Sequence, residues 1–179
     1  MFDERLPVHI DPIRMADTRR QLQGHIDLAE MTRLGQSLMD TSGRVEISID
    51  FGVDEEGIHY MHGHIRTQLV LECQRCLEAM NYVIDNEFAL GLVSSETEAQ
   101  DLPAHYEPLQ LDGKPLFLRD VIEDELLLAL PIVARHAKKE CGVKLDESDD
   151  APEQTGREDT GEKENPFSVL AAMKTDRKL

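Results

Sequence analysis

Val45–Leu92 reads VEISIDFGVDEEGIHYMHGHIRTQLVLECQRCLEAMNYVIDNEFALGL. Val45, Ile47, Ile49 and Phe51 alternate with Glu46, Ser48 and Asp50, a period of two that makes a strand with one apolar face. Asp54–Gly57, DEEG, is a turn, and the returning strand sets Met61, Ile65, Leu69 and Leu71 on one face. Pairing Val53 with Gly57 would oppose Ile49 to Met61 and Val45 to Ile65, with Gly57 free to take a positive φ. A slip of one residue would set Ile49 against His62. After a second turn at Cys73–Leu77, Met80, Tyr82, Ile84, Phe88 and Leu90 again share one parity. The stretch therefore predicts a three-stranded antiparallel meander.

A three-stranded sheet needs a cover. The strongest helical pattern in the chain is LFLRDVIEDELLLAL, Leu116–Leu130, closed by Pro131. Leu118, Val121, Ile122, Glu125, Leu126 and Ala129 follow helical spacing, and Glu123, Asp124 and Glu125 read as its wet side, with Glu125 nearest the apolar stripe. The expected fold is thus α+β, an antiparallel meander packed against a long helix. Around it, Leu6–Ile10 reads as a short strand, Pro12 opens a short helix, and Gln21–Ile26 is a further strand. Asp27 is placed to cap a helix over Leu28–Leu38. Ser94–Asp101 reads as a polar loop, and Tyr106–Leu111 as a short edge strand that tolerates Pro108.

Residues 1–144 read as the α+β core domain. Leu145–Glu164, LDESDDAPEQTGREDTGEKE, carries nine acids against two bases and almost no large aliphatic residue. Such a segment cannot offset its own ordering entropy, so 145–164 is expected to be a disordered linker. In 165–179 the chain turns apolar again. Pro166 suits a first helical position, and Phe167, Leu170 and Met173 would form a stripe on a short amphipathic helix that docks on a partner or on its own domain.

The formal net charge is −17. That disfavours broad binding to phosphate backbones and favours a basic protein partner. Contact with RNA would need a local basic patch, for which Arg14, Arg19 and Arg20, with Asp11 beside them, and Arg135, Lys138 and Lys139 are the candidates. No run of apolar residues is long enough for a membrane helix. The three cysteines are too few for a secreted disulfide scaffold, so a reducing cytoplasm is expected.

Cys73 and Cys76 form a C-x-x-C on a hairpin turn, the arrangement by which zinc knuckles aim two thiolates at one point. His136 and Cys141, an H-x4-C after the long helix, would complete a Cys3His set. No glycine follows Cys76, where many knuckles have one. Thiol–disulfide exchange is a second reading, although no helix N-terminus is apparent to activate a thiol. The third is that these are small residues packed at a sheet end. His62 and His64 share one face of their strand and could chelate a metal, but a polar outer face explains them more simply. No G-x-G-x-x-G, P-loop or G-x-S-x-G is present, and no motif pairs a nucleophile with its base.

HIDPIRMA, LECQRC, YEPLQL, VIEDELLLALPIVARH and NPFSVLAAMK, in that order, resemble the bacterial family of large ribosomal RNA subunit accumulation proteins, YceD. The likeness spans nearly the whole chain. It implies an accessory, non-catalytic role in the synthesis, processing or stability of large-subunit (23S) rRNA. The partner would be a ribosomal protein, an assembly intermediate or pre-rRNA, and no small-molecule substrate is expected. Some relatives carry more cysteines in the later region, where this chain has only His136 and Cys141. A thiol oxidoreductase or metal-dependent enzyme is the alternative.

Overall fold

The computed structural model describes residues 4–137, 140 and 141. The chain divides into a unit spanning Met1–Lys144 and one spanning Leu145–Leu179. The second unit lies wholly outside the described residues, as do the expected linker and terminal helix with Pro166, Phe167, Leu170 and Met173; so do Lys138 and Lys139.

In chain order the elements are β1 (His9–Ile10), α1 (Pro12–Asp17), β2 (Gln21–Asp27), a 3-10 turn at Leu28–Glu30, α2 (Thr32–Gly35), β3 (Arg44–Val53) and β4 (His59–Glu72), then β5 (Ala79–Val93), α3 (Glu96–Gln100), β6 (Glu107–Gln110), β7 (Leu116–Phe117) and α4 (Leu118–Ala129). A five-stranded sheet runs β2-β3-β4-β5-β6, and β1 pairs with β7 in a small ribbon. The fold is mixed α+β, with β3–β4–β5 the expected antiparallel meander. β2 extends it antiparallel to β3, and β6 joins β5 in parallel. That last pairing needs a crossover, which the segment through α3 supplies. β6 reaches only Leu90–Val93, so from Ala79 to Ala89 the outer side of β5 has no strand beside it among the described residues.

Val45, Ile47, Ile49 and Phe51 of β3, Met61, Ile65, Leu69 and Leu71 of β4, and Ile84, Phe88 and Leu90 of β5 are all buried in one core, as alternation predicts. Leu118, Ile122 and Leu126 of α4 complete it, each fully buried. α4 is shorter than the Leu116–Leu130 read from periodicity, because Leu116 and Phe117 are drawn into pairing with Ile10 and His9.

The β3–β4 register differs from the expectation by two residues. Val53 pairs with His59, which opposes Phe51 to Met61 and Ile47 to Ile65. Each apolar set stays on its face, as the period of two requires. The loop is longer because Asp54 folds it. Its Oδ1 accepts from the N–H of Glu56 at 3.0 Å and of Ile58 at 2.8 Å, and its own N–H donates to the Ile58 carbonyl at 3.0 Å. Gly57 takes φ +83°, as foreseen. Opposite Ile49 sits Gly63, and the Phe88 ring lies over it so closely that a Cβ there would meet Phe88 Cζ at 1.9 Å.

Three further expectations are corrected. The helix over Leu28–Leu38 is a 3-10 turn followed by the four residues of α2, and Asp27 makes no side-chain cap there. The strand over Leu6–Ile10 is two residues long; Leu6 instead donates its N–H to the His25 carbonyl at 3.3 Å. The loop Ser94–Asp101 contains α3, capped by Ser95, whose Oγ accepts from the Glu98 N–H at 3.2 Å. Here the S-x-x-E capping pattern was present in the sequence.

Candidate metal centre

The β4–β5 turn is built around Cys73. Its N–H donates to the Glu78 carbonyl at 2.9 Å, and its carbonyl accepts from Leu77 N–H at 2.8 Å. Closing so tight a loop forces Leu77 to φ +61°. That is the left-handed conformation glycine supplies elsewhere, so the missing knuckle glycine is replaced by a strained leucine.

After α4 the chain returns to this turn. Gln74 N–H donates to the Ala134 carbonyl at 2.8 Å. Glu140 and Cys141 donate their N–H groups to the Ala137 carbonyl at 3.0 and 3.2 Å, closing one turn that sets Cys141 beside His136. The ligand atoms of Cys73, Cys76, His136 and Cys141 all lie within 4.8 Å of one another. Cys73 and Cys141 are buried, and Cys76 and His136 are half-buried.

The surroundings orient these groups toward one another. His136 Nε2 donates to the Ala79 carbonyl at 3.2 Å, which turns Nδ1 toward Cys76 Sγ at 3.4 Å. A histidine ligand held by a second hydrogen bond to a carbonyl is the usual partner of a metal. Burial pushes the Cys73 thiol up, but N–H groups of Cys76, His136 and Arg75 aimed at its sulfur outweigh that and bring it down to about 5. Cys76, although favoured by a backbone hydrogen bond at Glu78, is raised by burial and by the neighbouring sulfurs. His136 is raised, chiefly by its interaction with Cys73. Arg75 donates from Nε to Cys141 Sγ at 3.0 Å and from Nη2 to the His136 carbonyl at 3.4 Å. Three thiolates around a dication would leave one negative charge, which the Arg75 guanidinium would offset. Its position inside the C-x-x-C was the only sequence signal of that role. Among the described residues this is the only cluster of His, Cys, Asp and Glu with metal-holding proximity. His62 and His64 are not part of one, and His64 instead meets Asp85 at 2.6 Å.

The basic candidates are not gathered there, apart from Arg135, which is exposed next to His136. Arg14, Arg19 and Arg20 are exposed on and after α1. Asp11 is the α1 N-cap, its Oδ1 accepting from Arg14 N–H at 3.1 Å, with Pro12 at the first helical position. The D-P-x-R stretch thus has a structural explanation.

The carboxylates of α4 are sorted differently from the sequence reading. Glu123 is buried and accepts from the N–H groups of Arg33 at 2.6 Å and Leu34 at 2.9 Å, and from Arg33 Nε at 3.1 Å. It caps α2 from another element and pairs with the arginine beside it. Asp124, exposed, also meets Arg33. Glu125 is buried too, but no described residue donates a hydrogen bond to it or pairs with it.

Fold and site define a class: a small α+β domain whose sheet end gathers a Cys3His donor set. Residues 61–174 match the family model "Large ribosomal RNA subunit accumulation protein YceD". The chain is 33% identical over 173 residues to the protein of that name from Haemophilus influenzae, covering 95% of this chain and 97% of the relative. It belongs to the YceD family. No solved structure matches it.

Proposed function

We propose that this chain is an accessory factor for accumulation of large-subunit rRNA, that it works by binding rather than catalysis, and that one zinc ion staples its β4–β5 turn to the segment after α4. The function comes from the family. What supports zinc is the donor set of Cys73, Cys76, His136 and Cys141, whose ligand atoms lie within 4.8 Å of one another. All four positions are filled by protein ligands, so the ion has no open position for a substrate, which is the mark of a structural rather than a catalytic zinc.

The rival thiol oxidoreductase needs its low-pKa thiol at the surface. Here the thiol brought down to about 5 is Cys73, which is fully buried, while the more exposed Cys76 is raised. The net charge of −17 favours a ribosomal protein or assembly intermediate as the direct partner over naked rRNA. No described helix is long and apolar enough to cross a membrane, and three cysteines with no disulfide between them suit a reducing cytoplasm.

Two measurements test this reading. Elemental analysis of freshly purified, reduced protein is expected to find one zinc per chain, falling away when Cys73 and Cys76 are replaced by serine. Cells lacking the protein are expected to hold less 23S rRNA and fewer mature large subunits. Normal levels of both would refute the function, and a metal-free protein would remove the staple.

A further inference from the structure

At the end of the sheet remote from the cysteines, a cleft of about 750 Å³ opens where β6 leaves the edge of β5. Asp50, His62, His64 and Glu87 line one side, and His105, Glu107 and Glu125 the other. It contains no lysine or arginine. At its wall Glu125 is only 8% exposed, yet no described residue donates to its carboxylate. Burial, and then the charges of Glu107 and Asp124, push its pKa up to about 7. A carboxylate so placed, its oxygens open only to the cleft, either holds a proton or is completed by a cation that enters. Metal is a poor candidate, because these groups do not converge as ligands do.

Rings flank the same cleft. His62 packs on Tyr60 with centroids 4.5 Å apart and near Tyr106 at 5.8 Å, and His105 lies 4.2 Å from Tyr106. A planar cation stacks on such faces while a carboxylate takes its N–H groups in pairs. An ammonium uses that combination less well, and a phosphate would be repelled by the carboxylates.

We infer that this cleft receives the arginine side chain of a basic protein segment, with Glu125 as its buried acceptor, Glu107 as its neighbour, and the His62 and His105 rings as flanking surfaces. The inference deepens the binding role proposed above and identifies the chemistry of the partner. The edge of β5 that no described strand accompanies leads into the cleft, so an extended peptide can pair its backbone there while its arginine enters.

The test uses the full chain and a fluorescent peptide, acetyl-(Arg-Val)5-amide, with its lysine counterpart and a ten-nucleotide oligouridylate as competitors. Glu125→Gln is expected to weaken the arginine peptide at least tenfold. Glu72→Gln removes the same charge ten residues along β4 from His62, roughly 33 Å away, and is expected to change binding less than twofold. The lysine peptide should bind more weakly than the arginine peptide. Thermal melts of Glu125→Gln accompany the titration: a variant at least as stable as the parent that has lost the peptide supports the site. Equal effects of the two substitutions would reduce binding to bulk charge and overturn the inference. So would oligouridylate that binds and depends on Glu125. Should the peptide fail while cells without the protein still lose 23S rRNA, this cleft is refuted and the family role stands. Normal rRNA in those cells would refute the role whatever the peptide does.

Discussion

At the scale of single residues, two side chains are held where they oppose folding. Leu77 is 66% exposed and contributes little packing, yet its φ of +61° is unfavourable for any residue with a Cβ. Leu77→Gly is expected to stabilise the fold by about 1 kcal/mol, read as a higher urea midpoint at unchanged slope. Glu125 opposes folding in a pH-dependent way. Its folded pKa of about 7 lies above the ordinary 4.5, so the native state holds a proton that the unfolded chain releases. Stability is therefore greatest below about pH 4.5 as far as this group is concerned, declines as pH rises through the window to 7, and stays reduced above it. The full difference is on the order of 3 kcal/mol. His62, His64 and His105 line the same cleft, so the substitution at Glu125 isolates the carboxylate. Glu125→Gln is expected to raise stability at pH 8 and leave it nearly unchanged at pH 4.5, checked by urea melts at both. The sequence put Glu125 nearest the apolar stripe, but Glu123 is the more deeply buried, at 2% exposed against 8%, and it is Glu123 that finds the basic partner. That assignment depends on where α2 lands, a tertiary fact without local periodicity.

At the scale of elements, the polar contact between α2 and α4 centres on Glu123. Glu123 serves two backbone N–H groups and a guanidinium from a buried position. Glu123→Ala is expected to cost roughly 2–4 kcal/mol, because it strands those donors. Asp124→Ala removes an exposed partner of the same arginine and is expected to cost less than about 1 kcal/mol. Denaturant melts of the two variants side by side separate the roles. Strand periodicity was readable here because β3, β4 and β5 each bury one face only. The loop register was not, since Asp54 sets it through hydrogen bonds of its side chain rather than through the apolar pattern. Short pieces such as β1 and β7 were hard to bound for a related reason: two residues carry no period.

At the scale of the whole molecule, the cysteine–histidine corner joins segments that are sixty residues apart in sequence, as the contact from Cys76 to His136 shows. Ion binding would therefore act on global stability. Chelation of the zinc-loaded protein is expected to lower its melting temperature and to be reversed by zinc, with the stabilisation growing with free zinc concentration as linkage requires. A chelator-insensitive melt would remove the ion from the account. The four ligands could be proposed from spacing alone, but their convergence could not. It depends on the chain after α4 turning back to the hairpin, which the Gln74–Ala134 hydrogen bond records.

The bare stretch of β5 has a further consequence. Between Ala79 and Ala89 no described strand accompanies β5, and on such a side a second chain could crystallise its own backbone, the route by which sheet proteins grow into ribbons. Asp85 and Glu87, exposed beside it, act as sentries because two copies would bring like charges together. Acidification or their neutralisation should turn a well-behaved solution into one whose turbidity climbs with concentration.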